Sequence, residues 1–224
     1  MKKLLLLVSL AALAACTTTT PHRKPYHVDA FAPKNPSNVR IKVSLQNRAV
    51  YVMEGNNPLM VTATAIGRPE TPTPTGHFRV GTRIPEKRSN SYGLWTNGTT
   101  TVPSRGPNKG GQSPGSGYYY VGFPMQWWVG LDRAPAYGFH VGSVWPTPRT
   151  HGCLRLHQNV AHKFFQLAQP GTPIYIAESL PEDLTIGRNI SRPTDYDDPD
   201  LPNHVLISRE AFPRPTTGLL PNPF

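Results

Sequence analysis

The chain has 224 residues, 38% of them hydrophobic, a formal net charge of +10 and only two cysteines. Two cysteines are too few for a small disulfide-stapled scaffold. The 23 lysines and arginines are scattered singly, without a dense cluster or an RNA-binding signature, so no nucleic-acid partner is expected.

From its start the chain runs Met1-Lys2-Lys3, an apolar stretch from Leu4 to Ala15, then Cys16 and four threonines. This pattern predicts an export signal over residues 1–15. A bilayer-spanning helix needs about 20 apolar residues, so the stretch is too short to stay as a membrane span. Leu13-Ala14-Ala15-Cys16 resembles a bacterial lipobox, which implies lipidation of Cys16 and attachment to a membrane through that lipid. Each buried acyl methylene contributes about 0.8 kcal/mol, so several chains anchor firmly. Thr17 in place of aspartate after the lipidated residue favours the outer membrane, facing the periplasm, in an organism that has one. Lys2 and Lys3 would leave with the signal, yet the rest stays basic. At a cell envelope such a surface meets carboxylates and lipid phosphates.

With Cys16 consumed by lipid, Cys153 has no disulfide partner in the chain. A free thiol in an oxidising compartment implies a use, the alternative being a small cysteine made inert by burial. Residues 16–38, rich in Thr, Pro, Lys and Asn, read as a flexible tether. From Val39 the segments VRIKVSL, AVYVME and LMVTATAIG carry period-two or continuous apolar patterns, separated by Gln46-Asn47 and by Gly55-Asn56-Asn57-Pro58. They predict an antiparallel β meander.

Between about 82 and 138 the Gly, Ser, Pro and aromatic content predicts short strands and long loops. Tyr118 to Tyr120, Trp127, Trp128 and Trp145 suit core and loop packing, with a substrate groove as the other reading. Val160, Phe164 and Leu167 fall at helical spacing from Asn159 to Gln169, ended by Pro170-Gly171, and a strand is predicted from Thr172 to Ala177. Residues 179–224 turn to Pro, Asn and Asp and read as a tail that wraps the domain or stays mobile. The fold expected is one mostly β domain over residues 39–178, with one or two short helices and long loops.

The segment Tyr137 to Leu156, YGFHVGSVWPTPRTHGCLRL, gathers His140, His151 and Cys153 among glycines. A thiol with a pKa near 8.5 is a few per cent thiolate at neutral pH, so a cysteine nucleophile needs a neighbouring imidazole. Gly152 beside it lets the backbone approach a substrate and offer amides to an oxyanion. Zinc would take Cys153 with His140, His151 or His157. No HExxH helix or paired-cysteine knuckle accompanies them, so neither metal nor cofactor is expected.

His140 followed by Thr150-His151-Gly152-Cys153-Leu154-Arg155 resembles the signature of the L,D-transpeptidase (YkuD) family, and Thr73-Pro74-Thr75-Gly76 before His77-Phe78 resembles a second family element. The Gly171-Thr172-Pro173-Ile174 turn into a strand fits the same pattern. The resemblance, over residues 39–178, implies an L,D-transpeptidase-like β-sandwich or barrel with long active-site loops. It implies Cys153 as nucleophile, His140 as its base, the Val141 carbonyl orienting that imidazole, and His151 in support. Gly152 and Cys153 amides would form the oxyanion hole, with Arg155, Thr150 and Trp145 toward the substrate. The implied reaction acylates Cys153 with a peptidoglycan tetrapeptide stem, releases D-alanine, and passes the acyl group to an amine of a second stem; carbapenems would acylate the same thiol.

Other acceptors would make the protein an attachment or release enzyme for a wall-linked lipoprotein, or an L,D-carboxypeptidase. A non-catalytic peptidoglycan-binding lipoprotein is the alternative of a different class, and a monomer is expected. A papain-type protease is disfavoured because His140 precedes Cys153. The 13-residue spacing from His140 to Cys153 is short for the family's loop, which bears on substrate selection more than on nucleophile activation.

Overall fold

A computed structural model describes residues 25–104, 106–215 and 217–224. The predicted signal, Cys16 and the first part of the tether lie outside the described residues.

Apolar residues, alternating in β1 and nearly continuous in β2, build the first three strands, β1 (Val39–Ser44), β2 (Ala49–Glu54) and β3 (Asn57–Ala63), each antiparallel to the next as the meander reading requires. On β1 the alternation sends Val39, Ile41 and Val43 into the core and Arg40 outward. Later strands are β4 (Gly76–Thr96), β5 (Thr101–Pro103), β6 (Tyr119–Leu131), β7 (Gly138–Val141), β8 (Leu154–Leu156) and β9 (Pro173–Ala177). They form one mixed sheet in the order β3-β2-β1-β9-β4-β6-β7-β8, with β5 paired to β4. β9 lies parallel to β1 and β8 parallel to β7. Isolated bridges from Ala65 to Arg155 and from Gly67 to Thr150 tie the chain leaving edge strand β3 to the other edge strand. The sheet is thereby curled toward barrel-like closure, and the unpaired edge of β8 is covered.

Three helices are short: α1 (Pro107–Gly110), α2 (Gln158–Leu167) and α3 (Asn203–Leu206). α2 falls within two residues of its predicted bounds. It begins where His157 Nδ1 accepts the Asn159 N–H at 3.1 Å, filling the N-cap role that Ser or Asp usually takes. Its buried stripe of Val160, Phe164 and Leu167 packs on the sheet, with the Phe164 and Phe139 rings 4.6 Å apart. Burial of a ring such as Phe164 contributes about 1.5–3 kcal/mol. Lys163 is buried too, and its ammonium donates to the Val28 carbonyl at 2.8 Å, which satisfies the charge-bearing group.

The region from 82 to 138 departs from the expected short strands and long loops. It holds β4 and β6, 21 and 13 residues long, paired over most of their length. The middle of β4 is wet on both faces, so it carries no apolar alternation for a sequence reading to find. Register shifts between Val80 and Arg83 and between Arg88 and Gly93 break the period further.

The described tail packs on the domain. Arg88 donates to the Leu206 and Ser208 carbonyls and lies over the Phe212 ring, and Gln126 donates to the Pro213 carbonyl.

Candidate active site

β7 and β8 run side by side with Phe139 opposite Leu154 and His140 opposite Arg155. Alternation turns Phe139, Leu154 and Leu156 into the core. His140 and Arg155 therefore share the other face, and Cys153, one position before β8, falls on that face beside Gly138. The sequence places these groups 13 residues apart, and the parallel pairing brings them to one end of two neighbouring strands.

His140 is only 8% exposed. Its Nδ1 lies 2.7 Å from the Val141 carbonyl oxygen. A carbonyl only accepts, so Nδ1 carries the proton and Nε2 keeps the lone pair a base needs. The Trp128 ring stacks near the imidazole, with centroids 6.2 Å apart, and the Lys87 ammonium lies over the same indole at 5.0 Å. Burial, then the positive field of Arg155, pushes the His140 pKa down to about 4; the Val141 bond opposes this and Lys87 adds to it. The imidazole is neutral at pH 7.

Cys153 is half-buried, and its Sγ lies 3.9 Å from the Ala136 carbonyl oxygen, a contact a weak S–H donor can make. Burial raises its pKa above the ordinary thiol value, partly offset by the Gly138 backbone, Arg155 and Lys87. At neutral pH the site holds a thiol and a neutral imidazole, ready for proton transfer during attack rather than a preformed ion pair.

The loop carrying Cys153 is clamped by hydroxyls. Thr150 Oγ1 accepts the Gly152 N–H at 3.1 Å and donates to the Cys153 carbonyl at 2.6 Å. With 1% of its surface exposed and its hydroxyl used both ways, Thr150 shapes the loop and is not placed to contact a substrate. Thr73, in the Thr-Pro-Thr-Gly turn, accepts the Gly67 N–H and donates to the Gly152 carbonyl, both at 2.9 Å. Gly152 sits at φ +103°, and a Cβ there would lie 2.4 Å from a carbon of the Tyr137 ring. Both conditions demand glycine. Because the Gly152 N–H is already engaged, it is not a free oxyanion donor in this conformation; the expectation for Gly152 narrows to permitting the turn.

The other sequence-predicted residues sit around this core. His151 is exposed and stacks on Tyr92 of β4, ring centroids 4.4 Å apart. Arg155 stays half-buried, its side chain running past Gly142, where a Cβ would lie 2.7 Å from its Cδ. Trp145 is partly buried, with the Arg149 guanidinium over its ring at 4.0 Å and the Tyr196 ring of the tail at 5.3 Å. Lys87, Trp128 and Asp195 were not anticipated at the site. Asp195 accepts the Val144 N–H at 3.1 Å, fixing the loop that follows His140, and burial raises its pKa while the nearby His157 lowers it. Only the aromatic content of 118–128 signalled Trp128. Among the described residues, no group of three or more His, Cys, Asp and Glu side chains is close enough to hold a metal ion.

The sheet thus carries an oriented imidazole on β7 and a thiol one position before the parallel strand β8. The L,D-transpeptidase catalytic domain model, YkuD, matches residues 38–176, from the start of β1 to β9, and the chain belongs to this family. Similar solved structures include an L,D-transpeptidase of Enterococcus faecium (21% identity, TM-score 0.44, 62% of this chain and 50% of that one). Another comes from Mycobacterium smegmatis (16% identity, TM-score 0.46, 62% and 58%). A third is an L,D-transpeptidase in complex with imipenem (18% identity, TM-score 0.47, 62% and 59%). The chain thus spans about half to three fifths of the length of these proteins. No curated protein matches it.

Proposed function

We propose that the protein is a peptidoglycan L,D-transpeptidase in which Cys153 is acylated by a tetrapeptide stem. The observation that carries this reading is the neutral, buried His140, its Nδ1 held by the Val141 carbonyl, on the same sheet face as Cys153. As the sulfur attacks the carbonyl of the third stem residue, its proton passes to His140 Nε2. The tetrahedral intermediate collapses when the leaving D-alanine amine takes that proton, and a thioester remains. An amine of a second stem then attacks, gives its proton to His140, and expels the thiolate, which is reprotonated. The product joins the third residues of two stems.

Burial that disfavours imidazolium makes each protonated state short-lived, so proton transfer accompanies bond making. The Cys153 N–H is the proposed oxyanion donor, and a donor of this kind is worth about 10²–10³ in rate. Arg155 supports thiolate and oxyanion through its field and is suited to a stem carboxylate. His151, on Tyr92, forms an outer wall of the entrance. The protein is proposed to act as a monomer, held in the cell envelope through lipid on Cys16, on the periplasmic face of an outer membrane.

Acceptor chemistry separates this reading from its relatives. Incubation of the full chain with disaccharide-tetrapeptide, followed by chromatography and mass spectrometry of the products, should yield a cross-linked dimer and free D-alanine. Tripeptide alone would make the protein a carboxypeptidase. Product only when a lysine-bearing lipoprotein is added would make it an attachment enzyme, and no turnover at all would leave a binding lipoprotein.

A further inference from the structure

A groove of about 670 Å³ lies on the outer face of the sheet across β1, β9 and β4, and neither Cys153 nor His140 lines it. Strand register builds it. Lys42, Tyr175 and His77 stand in one cross-strand row, and Arg79 pairs with Pro173 in the neighbouring row, where Arg40 of β1 flanks the same strand end. The alternate residues Ile41, Ile174 and Ile176 face the core, so these polar side chains have no inward role. With strands about 4.8 Å apart, the backbones of β1 and β4, which carry these cations, stand roughly 10 Å apart on either side of β9.

Two features make this more than a solvated face. The exposed rings of His77 and Tyr175 stack face to face with centroids 4.5 Å apart and 21° between planes, a two-ring pillar at the centre with one ring face free on each side. The cations around it are held in place: Arg40 Nη1 donates to the Ser37 and Val39 carbonyls, Arg79 Nη1 to Gly171, and Arg133 lies near the Phe78 ring. A guanidinium has five N–H donors, and these bonds use one nitrogen each of Arg40 and Arg79. Of the acids nearby, Asp132 is turned onto the backbone N–H groups of Arg79 and Arg133, and Glu182 pairs with Lys42. The groove keeps an excess of positive charge around a stacked aromatic pair, and its volume suits a ligand of a few rings.

We propose that this groove is a second binding site, which holds a carboxylate-bearing glycan strand while a stem peptide of the same polymer reaches Cys153. A sugar ring would pack against an outer face of the His77–Tyr175 stack, and carboxylates of the attached peptides would meet Arg40, Arg79 and Arg133. An acidic lipid surface shares the charge preference, but it is broad and flat and does not call for a groove with an aromatic pair standing within it. The identity of the polymer rests on the transpeptidase reading; the groove and its charge do not.

The test compares the full chain with Tyr175→Thr and with Arg40→Thr/Arg79→Thr, substitutions that keep strand propensity at exposed positions. Three measurements are made: cosedimentation with isolated peptidoglycan sacculi, binding to phosphatidylcholine vesicles with and without phosphatidylglycerol, and acylation of Cys153 by soluble disaccharide-tetrapeptide. Sacculus affinity should fall about tenfold or more in each variant, equivalent to about 1.4 kcal/mol, and the double variant should lose most of its salt dependence. Vesicle binding and acylation by the short substrate should not change. Unchanged sacculus affinity overturns the proposal, and so does a loss seen on anionic vesicles instead, which would assign the groove to lipid. Sacculus loss without acylation in any form of the protein would support the groove and remove the transpeptidase reading.

Discussion

Thr73 and Gly152 stand 79 positions apart in the chain, yet the Thr73 hydroxyl donates to the Gly152 carbonyl at 2.9 Å while accepting the Gly67 N–H. One buried hydroxyl thus couples the turn after β3 to the loop that presents the candidate nucleophile. Thr73→Val keeps the shape and orphans both backbone groups, which costs about 1–3 kcal/mol. The expected outcome is a lower unfolding midpoint and a fall of about tenfold or more in the rate of Cys153 acylation, with Thr73→Ser recovering most of both. A valine variant that acylates at the wild-type rate would show that the turn does not position the loop.

The thiol pKa is raised by burial and His140 is neutral down to about 4, so the two groups are uncharged together over most of the working range. Alkylation of Cys153 by iodoacetamide, followed by peptide mass, should rise with pH through a single step above the ordinary thiol range of about 8.5. A plateau of reactivity between pH 5 and 8 would instead mark a thiolate–imidazolium pair.

The same depressed imidazole links stability to pH. An unfolded His140 takes up a proton near pH 6.5, whereas the folded one resists until about 4. The unfolded state therefore binds more protons in that window, and stability falls as pH drops from about 6.5 to 4, by roughly 3 kcal/mol from this group. Urea midpoints should decline more steeply over that window in the wild type than in His140→Asn. Equal slopes would remove His140 as the source.

Asp195 reaches from the tail, outside the matched family region, to hold the Val144 N–H. Asp195→Ala removes that acceptor and should loosen the loop between His140 and Thr150. Limited proteolysis within residues 142–149 should quicken, and kcat/KM for a stem substrate should fall by about tenfold, an effect of 1.4 kcal/mol. Asp195→Asn, which keeps an acceptor oxygen, should lie between. Proteolysis and kinetics unchanged from wild type would make the tail a passive wrap.

Sequence reading recovered the parts whose environment is one-sided. β1 and β9 alternate because one face of each meets the core, and Val160, Phe164 and Leu167 mark α2 for the same reason. The Cys153 loop was readable as chemistry because His, Gly and Cys are scarce and close together. β4 and β6 were not, because the middle of β4 is wet on both faces and because Trp127, at φ +58°, interrupts the alternation of β6. That irregularity turns Trp127 toward Phe165 of α2 while Trp128 stacks near His140. Lys87 and Asp195 reach the site from distant strands and tail, a proximity that no local pattern carries. Thr150 was readable as part of a motif, but its inward hydroxyl, and hence its role as a clamp, depends on the backbone geometry of the folded loop.

An acyl-enzyme on Cys153, formed with His140 as base, is visible by intact-mass analysis of the full chain after incubation with a carbapenem or with disaccharide-tetrapeptide, beside Cys153→Ala and His140→Asn. The wild type should carry a carbapenem adduct and Cys153→Ala none, and acylation should be slowed by about 10²-fold or more in His140→Asn. Wild type that stays at its starting mass with both ligands, while Cys153 remains titratable as a free thiol, would rule out acyl transfer through this residue.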